Sequence, residues 1–185
     1  MSYEKALTKA WEELSRLTGE GRLSLKFLAD EYEVSLDGLS VFSLACNIPA
    51  GDHASVMILH YLIKKLRLKV LPEPTGEWIG FRELEGGDGY YPAFKKRTID
   101  VVLRKYGSSP EALIEAAGRL NGHDARIGDA GVVIEAFEKV PILITIWKGD
   151  EEVKPGANIA FDRSIREIFC TEDIVVLAEI IAHQL

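Results

Sequence analysis

Cysteine is nearly absent from this chain, and the motifs that need thiolates go with it. Cys46 and Cys170 are the only two in 185 residues, and neither sits in the CxxC spacing of a zinc site or iron–sulfur cluster. They are expected to be reduced and partly buried. Long apolar runs are missing too: nothing approaches the ~20 residues that a membrane span needs. The amino-terminal MSYEKALTKAWEELSRL mixes acids into an amphipathic pattern, unlike the basic end and apolar core of a signal peptide. A cytoplasmic protein without a membrane partner is the expectation. Positive charge is in deficit, with 22 Lys and Arg against 29 Asp and Glu, a net charge of −7 and a pI near 5.2. Nucleic acid is therefore not an expected partner, because phosphate binding needs a basic surface that releases counterions. No serine lies in a GxSxG elbow, HASVMILH does not resemble HExxH, and GGDGYY has neither the Lys-Ser/Thr of a phosphate loop nor the GxGxxG order. There is no fixed repeat, low-complexity tract or evident linker. One globular domain spanning 1–185 is expected, long enough to close a core without staples.

What is present is well-patterned. Leu7, Ala10, Trp11, Leu14 and Leu17 recur at helical spacing and predict an amphipathic helix over Tyr3 to Leu17. Leu23, Leu25, Phe27 and then Tyr32, Val34, Leu36 alternate with polar residues and predict two strands. Asp37-Gly38 predicts a turn back into a third, Leu39 to Leu44. Asp52 is placed to cap a helix from His53 to Leu68, with Val56, Leu59, His60, Ile63 and Leu66 inward. The alternation of WIGFREL reads as extended chain, and Gly86 to Pro92 as a binding loop or a sharp connection. Ala93 to Tyr106 and Glu111 to Leu120 read as helices. Ile134, Ala136 and then Ile142, Leu143, Ile144, Ile146 predict a hairpin around Lys139-Val140-Pro141. A short strand from Asn158 to Phe161 and a helix from Thr171 to His183 close the chain. Strands and helices come in groups, so the expected class is α+β: a mainly antiparallel sheet, from an N-terminal meander and a C-terminal hairpin, packed with about five helices.

The residues that could carry chemistry fall into a few sets. Asp150, Glu151, Glu152, Asp162, Glu172 and Asp173 crowd the span after Trp147, where carboxylates at strand ends can bind a hard cation or share acid and base roles. The order is not that of an EF-hand, and a solvated turn followed by helix-capping acids explains the same run. His53 and His60 are too far apart for a typical one-helix zinc pair, and His60 reads as a core histidine. Lys95-Lys96-Arg97, with Arg82 and Arg104, is the one basic concentration; beside Tyr90, Tyr91 and Phe94 it could hold an anion, or be a solvated helix face.

Four stretches, ILHYLIKKL, WIGFRELEGGDGYYPAF, PILITIWKGDEEVKPGANIAFD and TEDIVVLAEII, together resemble a prokaryotic family known as domain of unknown function 3786. The third is the most specific, with its apolar strand, Trp-x-Gly-Asp-Glu-Glu and a terminal Phe-Asp; Val153 and Ala160 depart from an aromatic and a leucine expected there. The resemblance implies a small domain of anaerobic prokaryotes with no established reaction. Relatives that look fused to cysteine-rich modules imply an iron–sulfur or corrinoid protein partner in one-carbon metabolism. No cofactor is named by the residues, and no metal ligand is assigned.

The leading expectation is a binding or accessory domain whose surface joins Arg82, Glu83, Asp88, Tyr90 and Tyr91 to Trp147, Asp150, Glu151, Glu152 and Asp162. The alternative is a metal-assisted or acid–base enzyme using the acids after Trp147, with His60 or His123; it requires at least three of them in one cleft. A third possibility is dimerisation through an apolar stripe of Ile174, Leu177, Ile180 and Ile181, set against burial of that stripe within the chain.

Overall fold

The computed structural model describes residues 3–150 and 152–185. The chain divides into two compact units, one ending at Pro72 and the other running Glu73–Leu185. Both are α+β with antiparallel sheets.

The first unit opens with α1 (Tyr3–Leu17). Ala10, Trp11 and Leu14 are buried as the spacing predicts, whereas Leu17 is exposed at the last turn. A meander follows: β1 (Arg22–Phe27), β2 (Asp30–Ser35), β3 (Ser40–Ser43) and a two-residue β4 (Ile48–Pro49), adjacent in that order. The strand β4 was not apparent from the sequence, where Pro49 signals a loop; proline is tolerated there because β4 is an edge. Asp30 ties the meander together, accepting hydrogen bonds from Ser43 Oγ and from Ala45 N at 3.0 Å. Burial and the neighbouring Asp30 push the Tyr32 hydroxyl up to about 12. Helix α2 (Asp52–Leu68) packs on α1, with Arg67 bridging to Glu13 at 2.7 Å. Gly51, not Asp52, is the cap residue, and Asp52 is the first residue of the helix, an acid in its first turn. His60 is half-buried rather than part of the core.

In the second unit a five-stranded sheet has the order β5-β9-β8-β7-β6. These strands are β5 (Trp78–Gly80), β6 (Gly122–Asp124), β7 (Ala130–Phe137), β8 (Val140–Trp147) and β9 (Gly156–Asp162). β8 is central; Ile142, Leu143, Ile144, Thr145 and Ile146 are all buried. The hairpin turns at Glu138-Lys139, with Lys139 left-handed at φ 62, so Val140 and Pro141 belong to the strand. Pro141 fits because pairing with β9 starts only at Ile142, so no ladder donor is missed on that side.

Helices α3 (Gly87–Arg97), α4 (Ile99–Tyr106), α5 (Glu111–Gly118), α6 (Ile165–Ile168) and α7 (Thr171–Gln184) complete the unit, with a 3-10 turn at Phe81–Glu83. Two expectations are corrected here. The glycine-rich Gly86 to Pro92 is neither a loop nor a sharp connection: Gly86 takes φ 70 as the cap residue, and Gly87 onward is helical with Pro92 inside. The helix expected from Ala93 to Tyr106 is two, broken at buried Thr98, whose Oγ1 donates to Phe94 O at 2.8 Å. In both cases Phe94 decides, since it is fully buried and stacked 3.9 Å from Phe81. That anchor outweighs the low helix propensity of two glycines and a proline. Of the stripe on α7, Ile174, Leu177 and Ile181 are buried within the chain and Ile180 is half-buried.

Candidate functional site

Nine of the ten residues proposed from sequence are among the described ones. They lie in three places along the chain: the 3-10 turn with helix α3, the β8–β9 hairpin tip, and a buried carboxylate at the end of β9.

The α3 face gathers five of them. The 3-10 turn and α3 meet through Gly87, where an added Cβ would lie 2.0 Å from Phe81 O, and through the Phe81–Phe94 stack. This close docking presents Arg82 and Tyr91 to each other: the Arg82 guanidinium carbon lies 4.1 Å over the Tyr91 ring. Such a contact orients the guanidinium plane while leaving its donors available. Its acidic neighbour Asp88 is 3.8 Å from Nε, beyond hydrogen-bond reach, and Arg82 remains 62% exposed. Tyr90, on the next side of the helix, is exposed and accepts from Arg97 at 3.1 Å; Arg97 also pairs with Glu179 of α7. Glu83 is exposed and its carboxylate accepts from Gly80 N at 2.7 Å, while its carbonyl accepts from Arg166 at 2.5 Å. The sequence flagged Arg97 as part of a basic run; nothing in it pointed to Glu179 or Arg166, which come from distant helices.

The hairpin tip between β8 and β9 holds Trp147, Asp150 and Glu152, all exposed; Glu151 lies outside the described residues. Asp150 serves its own loop, accepting from Glu152 N at 2.8 Å and Val153 N at 2.7 Å, and these bonds hold its carboxyl below the usual range. Lys148 reaches Glu111 at 2.6 Å. The turn explanation of the acidic run is the one the geometry matches here.

Asp162 is at the other end of β9. The register runs from Trp147↔Gly156 at the tip to Asp162↔Trp78 at the far edge, roughly 20 Å at ~3.4 Å per residue. Asp162 is 1% exposed and accepts from Thr75 N (2.9 Å), Thr75 Oγ1 (3.1 Å), Gly76 N (2.7 Å) and Ser164 N (2.9 Å). Burial pushes its pKa up, but the bonds from Thr75, Ser164 and Gly76 more than offset that and keep it low. Its role is to hold the 75–76 backbone on the sheet. His123 is on β6, three strands from β9. Among the described residues no three of His, Cys, Asp and Glu gather as a metal-binding group.

Both cysteines are exposed, against the expectation of partial burial. At Cys170 desolvation of the sulfur nonetheless dominates and, with the charge of Asp173, pushes the thiol up to about 12. Because the thiolate is the nucleophile, alkylation of Cys170 in a Cys46→Ser variant should be slow at pH 8. It should accelerate about tenfold per pH unit until the thiol titrates. Mass spectrometry of iodoacetamide-treated samples reads this directly, and a rate that levels off below pH 9 would contradict it.

Fold and surface together define a class: an α+β protein with two antiparallel sheets and an exposed aromatic–cationic helix face. The chain belongs to the family described as Domain of unknown function (DUF3786), which it matches over residues 11–184, across both units. Comparison with curated proteins and with solved structures gives no match. No helix among the described residues is long and apolar enough to cross a membrane.

Proposed function

We propose that this chain is a binding or accessory domain of the cytoplasm that engages a partner through the α3 face. The observation that carries this reading is the Arg82 guanidinium, oriented over Tyr91, 62% exposed and paired with Asp88 only at the long distance of 3.8 Å. Oriented aromatic and arginine side chains are the groups that dominate protein interfaces. On a chain of net charge −7, such a cation selects an acidic patch on the partner. The partner we propose is an iron–sulfur or corrinoid protein of an anaerobic metallo-cofactor or one-carbon system; the family resemblance supports that choice. The enzyme alternative draws no support from the separation of Asp150 and Asp162 along β9.

The test is calorimetric titration of the full chain with a [4Fe–4S] ferredoxin and, separately, with hydroxocobalamin and a corrinoid protein. Binding to one protein partner should weaken roughly 30-fold in an Arg82→Ala/Tyr91→Ala variant, the effect of losing about 2 kcal/mol at an interface anchor. Affinity untouched by that double substitution, or no binding to any of these, overturns the reading.

A further inference from the structure

The edge of the first sheet carries an inference independent of the α3 face. Leu36 N donates to Gly21 O at 2.9 Å, and the register continues Arg22↔Ser35, Leu23↔Val34 and so on to Phe27↔Asp30. In an antiparallel ladder bonded and non-bonded pairs alternate. The bonded pairs are therefore Leu23/Val34, Leu25/Tyr32 and Phe27/Asp30, and the N–H and C=O groups of Arg22, Ser24 and Lys26 point away from β2. β1 is the outermost strand. Among the described residues no backbone partner reaches that side.

The side chains at the same three positions are exposed, while Leu25 and Phe27 are buried on the opposite face. Beside them lies an open groove of about 470 Å³ lined by Ser24, Leu25, Lys26, Ala29, Asp30 and Glu31. A free edge of this length is a template for strand addition. Charge decides what can occupy it. A second copy, paired antiparallel about Ser24, would put Arg22 directly opposite Lys26 at both ends, and like charges so placed are destabilising. Acids four residues apart would instead meet both cations. Among the described residues Lys26 has Glu31 opposite it in the register but no ion pair within 4 Å, and Arg22 has an exposed one to Glu33 at 3.3 Å.

We propose that the β1 edge receives an extended acidic segment of a partner protein as an added strand. The experiment is amide exchange, followed by NMR on the full chain. The probe is a short synthetic peptide of alternating valine and polar residues with two aspartates spaced four apart; its counterpart carries lysines instead. The acidic peptide is expected to slow exchange at the amides of Arg22, Ser24 and Lys26 by about tenfold or more. Lys26→Glu, at an exposed position that leaves the β1–β2 ladder intact, should lose this protection and transfer it to the lysine peptide. Exchange unchanged at those amides, equal protection by both peptides, or concentration-dependent protection without peptide would each overturn the proposal; the last would mean self-pairing.

Discussion

Asp162→Ala is expected to lower the unfolding free energy by about 3–5 kcal/mol, the cost of leaving several buried donors unsatisfied at about 1–3 kcal/mol each, partly relieved by local adjustment. The donors are Thr75 N, Gly76 N and Ser164 N, all aimed at a carboxylate that is 1% exposed. Urea denaturation at neutral pH measures the loss. Asp162→Asn separates charge from shape, because its amide group turns one acceptor into a donor facing a backbone N–H. The pH dependence has a definite sign. The carboxyl is held below its ordinary range in the folded protein, so its contribution is complete above the unfolded value of about 3.9 and is lost as pH falls through the folded value. The gap between wild type and Asp162→Asn should therefore narrow as pH drops below about 4. A gap that stays constant into acid would mean that ionisation plays no part, and that Asp162 acts by packing alone.

Two glycines separated by one residue should respond with opposite signs. At Gly87 a Cβ would sit 2.0 Å from Phe81 O and 3.4 Å from Leu84 Cβ. Backbone must move to admit it, and the Gly87 N bond to Leu84 O at 2.9 Å moves with it. Gly87→Ala should destabilise by about 2–4 kcal/mol, near the upper end for overpacked sites because the obstacle is backbone. It should also disturb the Arg82–Tyr91 stack, so partner affinity falls with stability. Gly89 has nothing within 4 Å of its would-be Cβ and an ordinary helical φ. Gly89→Ala should be stabilising by about 0.5–1 kcal/mol, since alanine gives up less backbone freedom in a helix. Thermal or urea melts of the two variants side by side test the docking of α3: equal effects would mean that the turn at Phe81–Glu83 is not held as described.

The contrast between those glycines is also where reading the sequence reaches its limit. Both stand in GGDGYYP, a stretch whose local preferences all point to irregular chain. It is helical because Phe94 finds Phe81 across a turn and Phe161 6.3 Å away on β9, contacts that no local window contains. The same holds for the site. Arg82, Asp88 and Tyr91 could be named from one stretch of sequence, but their approach to one another depends on that docking. Glu179, 82 residues beyond Arg97, has no local signal at all. Asp150 and Asp162 are close in sequence and looked like partners; a seven-residue strand between them puts them at opposite ends of the sheet.

Periodicity and turn chemistry in the sequence were enough to determine the α+β class, the meander, the β7–β8 hairpin, and helices α1, α2 and α7. Each of these rests on patterns of two or 3.6 residues that act within a single element. Three things were left to tertiary structure: that the chain divides at Pro72, that β5 pairs with β9 across 75 intervening residues of other elements, and that Asp162 binds backbone instead of a ligand. Burial and hydrogen-bond satisfaction are properties of what surrounds a residue, and those surroundings exist only once distant segments have packed together.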